Sequence, residues 1–306
     1  MKTAAVEVLP KITLKNILYA TDFSRSSEAA LAFVLGFARK YGATVHALHV
    51  RTPSAYWSMA PEVAPEIAVT DQELAQRDAD RLHRMLASVP HDVTIASLDI
   101  WTPLSDMIAR HKIDLIVIGT HGRTGISKAV LGSVAAEIIR SVPRPVLTIG
   151  PEVRFNCEAP LEFERILFAT NLGAASLDAV PYATGLAHDF ESQLIVMKVV
   201  EKEGAGEFAT PGFYSEFETR KMREVIPADC EQEFSPKFVV EKGDAAKRIL
   251  QVARDLRADL IVLGTKDAGG SLTAATHFSR ATAQRVIAGA PSPVLTVPHL
   301  NRDTIT

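Results

Sequence analysis

One pattern of residues occurs twice in this chain of 306 residues. Three segments of the first copy match three of the second at offsets of 149, 145 and 148 residues: 17–22 with 166–171, 113–120 with 258–265, and 145–149 with 293–297. A repeat of this length is the size of an ordinary domain, and each copy is long enough to bury its own core. The sequence therefore predicts two tandem domains, residues 1–150 and 151–306, joined by a polar linker at 152–162.

Strand and helix patterns alternate within the first copy. Residues 115–118 are an uninterrupted apolar run, which is typical of a parallel strand buried on both faces. Further strands are predicted at 16–21, 44–50, 92–98 and 145–149, and helices at 28–41, 71–88, 103–111 and 134–140. This alternation predicts an α/β fold with two tandem doubly wound parallel five-stranded sheets, Rossmann-like, with helices on both faces. The proline-rich connection at 51–69 predicts a lid or an interface segment.

Composition excludes several classes of protein. The formal net charge of −3 argues against a general nucleic-acid binder, which usually carries a basic surface. No apolar run approaches ~20 residues, so no membrane-spanning helix is predicted. Cys157 and Cys230 are far apart and form no metal or redox spacing, which suits a reducing compartment. With no signal-peptide pattern near the start, the expected location is the cytoplasm.

A glycine-rich loop follows the apolar run at 115–118. Gly119 ends the strand, and Gly122 and Gly125 keep the next turn free of Cβ atoms, so backbone N–H groups can approach a ligand closely. Gly132 and Ser133 then open a helix whose first N–H groups have no partner within the helix. A strand end, a glycine loop and a helix N-terminus together predict an anion site, above all for phosphate.

The spacing Gly119-x2-Gly122-x9-Gly132-Ser133 resembles the ATP-binding motif of the universal stress protein family. The resemblance extends over nearly the whole chain as two copies, and only the first copy matches the nucleotide motif closely. It implies a fold like that of the adenine nucleotide alpha hydrolases. It also implies ATP as the ligand, alone or with Mg²⁺, and a role as a stress-response regulator.

Eleven residues of the first copy form the expected nucleotide site by this resemblance: Ala20, Thr21, Asp22, Val50, Gly119, His121, Gly122, Arg123, Gly132, Ser133 and Val134. Asp22 would accept hydrogen bonds from a ribose hydroxyl or the adenine amino group, Val50 would pack on adenine, and the residues of the glycine motif would contact phosphate and ribose. Alternatives stay open for several of them. Asp22 can be a helix cap, Val50 an ordinary strand end, and Arg123 and His121 solvated loop residues.

The second copy has lost this chemistry. Asn171 replaces the aspartate, and Arg280 with Ala281 stands where Gly132 and Ser133 stood. The loop of the second copy also gains three residues, and Asp267 takes the place of Gly122. Because a carboxylate repels phosphate and an arginine Cβ obstructs close backbone approach, the second copy is predicted to be a structural domain without nucleotide.

No catalytic residue and no metal site is predicted from the sequence. The glycine loop is not followed by the Gly-Lys of a P-loop, and no GxSxG elbow is present. His46 and His49 are three apart on a strand and so face opposite sides. The leading hypothesis is an ATP-binding regulator. The alternatives are slow ATP hydrolysis or autophosphorylation, for which Ser133 would be the acceptor, and a structural dimer with a vestigial site.

The expected partners are an adenine nucleotide, a second copy of the chain and an unidentified regulatory protein, with no nucleic acid and no membrane. The strands at 145–149 and 293–297 end their domains and are expected at sheet edges, which must be covered or paired. They can pair with each other within one chain. A homodimer would then use another surface, for which residues 56–59 (Tyr-Trp-Ser-Met) are the candidate.

Overall fold

A computed structural model describes residues 12–51, 64–120, 131–153, 159–200, 211–265 and 280–299 of the chain. The chain divides into two compact units. The first unit comprises Thr13–Thr124 with Arg154–Leu161, and the second comprises Met1–Ile12, Gly125–Val153 and Glu162–Thr306. The division into domains at 1–150 and 151–306 stays a prediction.

The first unit is a parallel sheet with alternating helices. Its elements are β1 (Asn16–Thr21), α1 (Arg25–Tyr41), β2 (Thr44–Arg51), α2 (Ala64–Leu86), β3 (His91–Ser97), α3 (Trp101–His111) and β4 (Leu115–Gly119). The strand order is β3-β2-β1-β4, and every pair in it is parallel. The order turns back between β1 and β4, which is where open α/β sheets bind ligands beyond their carboxyl ends.

The second unit contains the end of the first repeat and all of the second. Its elements are α4 (Ser133–Ser141), β5 (Val146–Ile149), β6 (Arg165–Ala169), α5 (Ala174–Leu177), α6 (Val180–Asp189), β7 (Gln193–Val200), α7 (Pro211–Val225), α8 (Ala228–Phe234), β8 (Lys237–Lys242), α9 (Ala245–Asp255), β9 (Leu260–Thr265), α10 (Arg280–Gly289) and β10 (Val294–Pro298). The strand order is β5-β10-β9-β6-β7-β8. All pairs are parallel except β5 with β10.

The last strands of the two repeats, β5 and β10, pair antiparallel with each other. Two buried threonines add reciprocal side-chain bonds: Thr148 Oγ1 donates to the Val294 carbonyl at 3.1 Å, and Thr296 Oγ1 donates to the Val146 carbonyl at 3.2 Å. The prediction that these strands pair is confirmed, as is the α/β class with a predominantly parallel sheet.

Local sequence signals explain where most elements begin and end. Ser24 caps α1 by accepting from the Ser27 N–H, and Gly42 ends it with φ of 65°, the left-handed conformation that glycine adopts most readily. The predicted connection over 51–69 is wrong from Ala64 onward, because α2 begins there. Pro65 falls in the first helical turn, where a backbone N–H has no partner in any case. Residues 52–63, which include the interface candidate 56–59, lie outside the described residues.

The parallel strands are buried on both faces, as the apolar runs predict. Ile116 and Val117 of β4 are fully buried, and so are Ile17 and Leu18 of β1. Within the described part of the chain, no helix combines the length and the apolar character that crossing a membrane requires.

Candidate functional site

The strands of the first unit place three predicted site residues at one edge of the sheet. Strand β1 lies between β2 and β4, so Thr21, Val50 and Gly119 stand at the carboxyl ends of neighbouring strands. Thr21 is buried and Val50 is half-buried. Asp22 follows β1 directly. The structure therefore brings together the strand ends at which the sequence predicts a nucleotide site, and the site itself stays a prediction.

The carboxylate of Asp22 organises the turn between β1 and α1. Its Oδ1 accepts hydrogen bonds from the Ser24 N–H at 3.0 Å and from the Ser27 hydroxyl at 2.9 Å. Burial by itself would raise the pKa of the Asp22 carboxyl, but the hydrogen bonds from Ser24 and Ser27 outweigh burial and hold the pKa below its ordinary value. Asp22 is thus a negative charge at neutral pH. The N-cap of α1 is Ser24 and not Asp22, whose carboxylate instead holds the turn that leads into the helix.

Phe23 lies next to Asp22 in a left-handed backbone conformation, with φ of 59°. Its N–H donates to Thr21 Oγ1 at 3.1 Å, which fixes the turn. Its ring packs against His49, with centroids 4.5 Å apart, and the guanidinium of Arg81 lies 4.2 Å from the ring centre. The Phe23 side chain thus contacts residues of β2 and α2 at this sheet edge.

His49 is a buried residue at this edge that the sequence analysis did not select. It is 1% exposed, and its Nδ1 donates to the Thr21 carbonyl at 2.7 Å. Asp78 of α2 lies 3.8 Å from the other ring nitrogen and 3.3 Å from Nε of Arg51. The signal that could have revealed His49 is a polar residue inside the apolar strand β2. Its partners come from β1 and α2, which spacing alone does not bring together.

Gly119 has a packing role that is independent of any ligand. A Cβ at this position would lie 2.6 Å from the Ser27 nitrogen and 2.8 Å from the Ser26 carbonyl carbon, closer than side-chain atoms ever approach backbone. The N-terminus of α1 can therefore pack on β4 only because residue 119 is glycine. A contact between Gly119 and phosphate stays a prediction.

Gly132, Ser133 and Val134 open helix α4 in the second unit. Gly132 is the N-cap residue, with φ of −58° and ψ of 145°, and it provides no side-chain cap. Ser133 and Val134 are exposed, Val134 to 47%. The first N–H groups of α4 thus have no capping side chain at Gly132, the arrangement in which helix N-termini bind anions. His121, Gly122 and Arg123 lie outside the described residues.

The second repeat builds the same turn from different side chains. Asn171 Oδ1 accepts from the Gly173 N–H and from the Ser176 hydroxyl, each at 2.9 Å, as Asp22 does at the matching positions of the first repeat. The left-handed residue is Leu172, with φ of 64°. Gly264 also matches Gly119, since a Cβ there would lie 2.0 Å from the Ala175 carbonyl oxygen. Asp267 and most of its loop lie outside the described residues.

A cluster of possible metal ligands lies at the opposite, amino edge of the first unit. One ligand atom each from His46, Asp92 and His111 falls within 4.8 Å of the others, a grouping found in a search of the described residues only. The three residues come from β2, β3 and α3, so their spacing in the sequence gives no sign of it. His49 faces Thr21 and Asp78 instead, in agreement with the prediction that His46 and His49 cannot share a metal.

Comparison with known proteins gives consistent matches. The model of the universal stress protein family matches residues 13–150 and 162–298. A universal stress protein of Synechocystis sp. is 35% identical over 138 residues, which cover 44% of this chain and 86% of that protein. One from Methanocaldococcus jannaschii is 28% identical over 148 residues, covering 44% of this chain and 81% of the relative.

Among solved structures, the chain is similar to a universal stress protein from Archaeoglobus fulgidus DSM 4304. The two superpose with a TM-score of 0.66 at 21% identity, over 95% of this chain and 99% of the other. At that identity the likeness concerns the fold, and it agrees with the tandem α/β arrangement of this chain.

Proposed function

The chain belongs to the universal stress protein family, and from that premise we propose that its first repeat binds ATP and that it acts as a stress-response regulator. Regulation would work through nucleotide-dependent conformation or through the binding of a partner protein. ATP would bind alone or with Mg²⁺, whose place would be at the phosphates. The proposed contacts are the eleven residues selected from the sequence, with the nucleoside near Asp22 and Val50 and the phosphates near the glycine motif.

The observation that carries the proposal is the charge of Asp22. Its turn has the same hydrogen bonds as the turn of Asn171, so the turn itself requires an oxygen acceptor but no charge. An ionised carboxylate has about four acceptor positions on its two oxygens, so it can serve its own loop and a ligand hydroxyl or amino group together. A lowered pKa keeps Asp22 in that form.

The start of α4 supports the phosphate end of the proposal. A helix N-terminus carries a partial positive charge and points its N–H groups outward, which favours negative groups such as phosphate. Gly132 leaves this terminus without a side-chain cap, and Ser133 beside it is exposed. In the second repeat the residue equivalent to Gly132 is Arg280. The second repeat therefore lacks both the glycine at the helix start and the aspartate after the first strand.

Isothermal titration of the full chain with ATP tests the proposal, and we expect one site per chain. Asp22→Asn should weaken binding by about 1–3 kcal/mol, roughly 5- to 150-fold, through loss of a charged hydrogen bond. The matched control is Asn171→Asp, which places the same charge in the second repeat and should leave ATP affinity unchanged. Two equivalent sites per chain, or equal affinity in wild type and Asp22→Asn, would contradict the proposal.

Gly132→Val tests the phosphate end. Its backbone angles suit valine, so the helix should form, but the branched side chain would occupy space that the phosphates need. We expect ATP binding to be lost with the circular dichroism spectrum unchanged. Tight ATP binding by a folded Gly132→Val variant would place the phosphates elsewhere.

We expect ATP to be bound with little turnover, well below the enzyme median of about 10 per second. An assay with labelled ATP on wild type and Ser133→Ala decides between this and autophosphorylation, because Ser133 is exposed at the helix start. Label transferred to wild type but not to Ser133→Ala would replace the regulator proposal with an enzyme.

We also propose a cytoplasmic homodimer. Two widely spaced cysteines suit a reducing compartment. Light scattering at micromolar concentration should give about twice the chain mass of 33.2 kDa, and a single-chain mass would remove the dimer from the proposal.

A further inference from the structure

Four polar side chains meet at the amino edge of the first unit, away from the proposed nucleotide site. His46 Nδ1 lies 2.7 Å from Asp92 Oδ2, and His46 Nε2 lies 3.1 Å from Asn16 Oδ1. The His111 ring packs against the His46 ring, with centroids 4.1 Å apart. His46 is 4% exposed, whereas the Asp92 side chain is 48% exposed, so the cluster is buried on one side and open to solvent on the other.

The neutral His46 ring has fewer N–H groups than it has oxygen neighbours. Both ring nitrogens of His46 face oxygen atoms, but a neutral imidazole has only one N–H to donate. One ring nitrogen of a neutral His46 therefore presents a lone pair, and not a proton, to its oxygen neighbour. A cation between His46 and Asp92 would be bound by that lone pair and by the carboxylate together.

We propose that His46, Asp92 and His111 form a binding site for a divalent transition-metal ion, best suited to Zn²⁺. Two imidazoles and one carboxylate are typical zinc ligands, and three protein ligands leave one position for water or for a ligand from a partner. Asn16 would accept from Nε2–H of His46, which leaves the Nδ1 lone pair for the metal, the usual role of an outer partner to a histidine ligand.

The ligand atoms lie close to the required geometry. With bonds of about 2.0–2.2 Å, the ligands of a tetrahedral zinc ion are roughly 3.3 Å apart. The 2.7 Å contact between His46 and Asp92 would open slightly, and the wider separations, up to 4.8 Å, would close. Asp92 and His111 are both partly exposed, one at the start of β3 and one at the end of α3, so both side chains have room to adjust.

The second repeat indicates that the fold does not require this cluster. The strand registers make Ile195 equivalent to His46 and Lys237 equivalent to Asp92. Leu256 occupies the place of His111, and Arg165 that of Asn16. Apolar and cationic residues thus occupy the equivalent positions in the second repeat, and they offer no ligand atoms for a metal ion. The ligand set of the first repeat is a local addition to a scaffold that forms without it.

A second histidine pair at the same edge provides a matched control. His83 Nδ1 lies 3.0 Å from His91 Nε2. Because His91 directly precedes Asp92 on β3, the side chains of His91 and Asp92 point to opposite faces of the sheet. His83→Gln removes an exposed histidine of the same edge without touching the proposed ligands.

The test is calorimetric titration of Zn²⁺ into chelator-treated, nucleotide-free full chain. We expect one ion per chain, with affinity at least tenfold weaker in His111→Gln and in Asp92→Asn, and unchanged in His83→Gln. Binding should weaken as the pH falls, because protons compete for the imidazoles. Co²⁺ in place of Zn²⁺ should give visible absorption of a four-coordinate site in wild type, and this absorption should be lost in His111→Gln.

Three results would contradict the proposed metal site. Zn²⁺ affinity that survives both His111→Gln and Asp92→Asn, or that His83→Gln abolishes, would overturn the assignment, as would a lack of binding at about 100 μM Zn²⁺. Circular dichroism of each variant checks the fold. Asp22→Asn should bind Zn²⁺ like wild type, so this site and the proposed ATP site succeed or fail separately.

Discussion

The two repeats make the same turn after their first strand, with an aspartate in one and an asparagine in the other. Asp22 and Asn171 each accept from a backbone N–H two residues ahead and from a serine hydroxyl five residues ahead. Thr21 and Thr170 likewise each accept from the N–H two residues ahead. Since an amide oxygen is sufficient for this geometry, the charge of Asp22 is not needed by the fold. The difference between the repeats is therefore the charge at this edge, and the proposed nucleotide site depends on that charge.

The next strand differs in a related way. His49 of β2 and Lys198 of β7 occupy equivalent positions, and each faces an acidic residue of the following helix. Lys198 makes a tight ion pair with Glu218, which is 4% exposed. His49 stands 3.8 Å from Asp78 and bonds to the Thr21 carbonyl instead. The second repeat thus has a buried ion pair, Lys198 with Glu218, at the position where the first repeat has a longer contact between His49 and Asp78.

Among the changes that test this contrast, Lys198→Met should have the largest effect on the free energy of unfolding. It would leave the Glu218 carboxylate buried without its cation, at a cost of about 3–5 kcal/mol in the free energy of unfolding. Asp78→Asn in the first repeat should cost less than about 1 kcal/mol. The Asp78 side chain is partly exposed, its contact with His49 is 3.8 Å long, and its other partner, Arg51, keeps the carboxylate of Asp71 at 3.6 Å. Urea unfolding measures both. Equal losses would show that the two networks are energetically alike.

A smaller loss of stability is expected from changing the glycine that both repeats have at the end of an inner strand, Gly119 and Gly264. Gly264→Ala would place a Cβ 2.0 Å from a backbone oxygen, and Gly119→Ala would place one 2.6 Å from a backbone nitrogen. We expect losses of about 3 kcal/mol and about 2 kcal/mol, since overpacking against backbone forces the helix away from the strand. The same denaturation experiment ranks them. If Gly119→Ala were harmless, the requirement for glycine there would come from a ligand and not from packing.

The smallest effect on stability is expected for Asp22→Asn. At pH 7 it should cost about 1 kcal/mol, the difference between charged and neutral hydrogen bonds. The pKa of Asp22 is lowered in the folded chain, so its charged form stabilises the fold above the unfolded pKa of about 3.9. This contribution is lost as the pH falls through the folded pKa. The stability difference between wild type and variant should therefore narrow below about pH 4.

Unfolding at pH 7, 5 and 3.5 or nearby values measures this trend, with Asn171→Asp as the reciprocal variant. A gap between wild type and Asp22→Asn that widens in acid would mean that Asp22 has a raised pKa. In that case it would not be the permanent negative charge on which the nucleotide proposal depends.

Local sequence determined much of this protein. Apolar runs predict strands because parallel strands are buried on both faces, and Ser24 and Gly42 mark the ends of α1 because their chemistry suits a cap and a left-handed turn. The offset between the repeats gave the tandem α/β arrangement. The position of Asp22 directly after β1 was also readable, because ligand sites lie beyond strand ends.

Tertiary structure alone decided which side chains meet. His46, Asp92 and His111 are separated by 46 and 19 positions in the chain, and only the register of β2 with β3 and the placement of α3 bring them together. The burial of His49 and the packing role of Gly119 also depend on neighbouring elements. Periodicity fixes which face a residue occupies on its own element, but the partner across that face is set by strand order and register, which arise from packing of the whole unit.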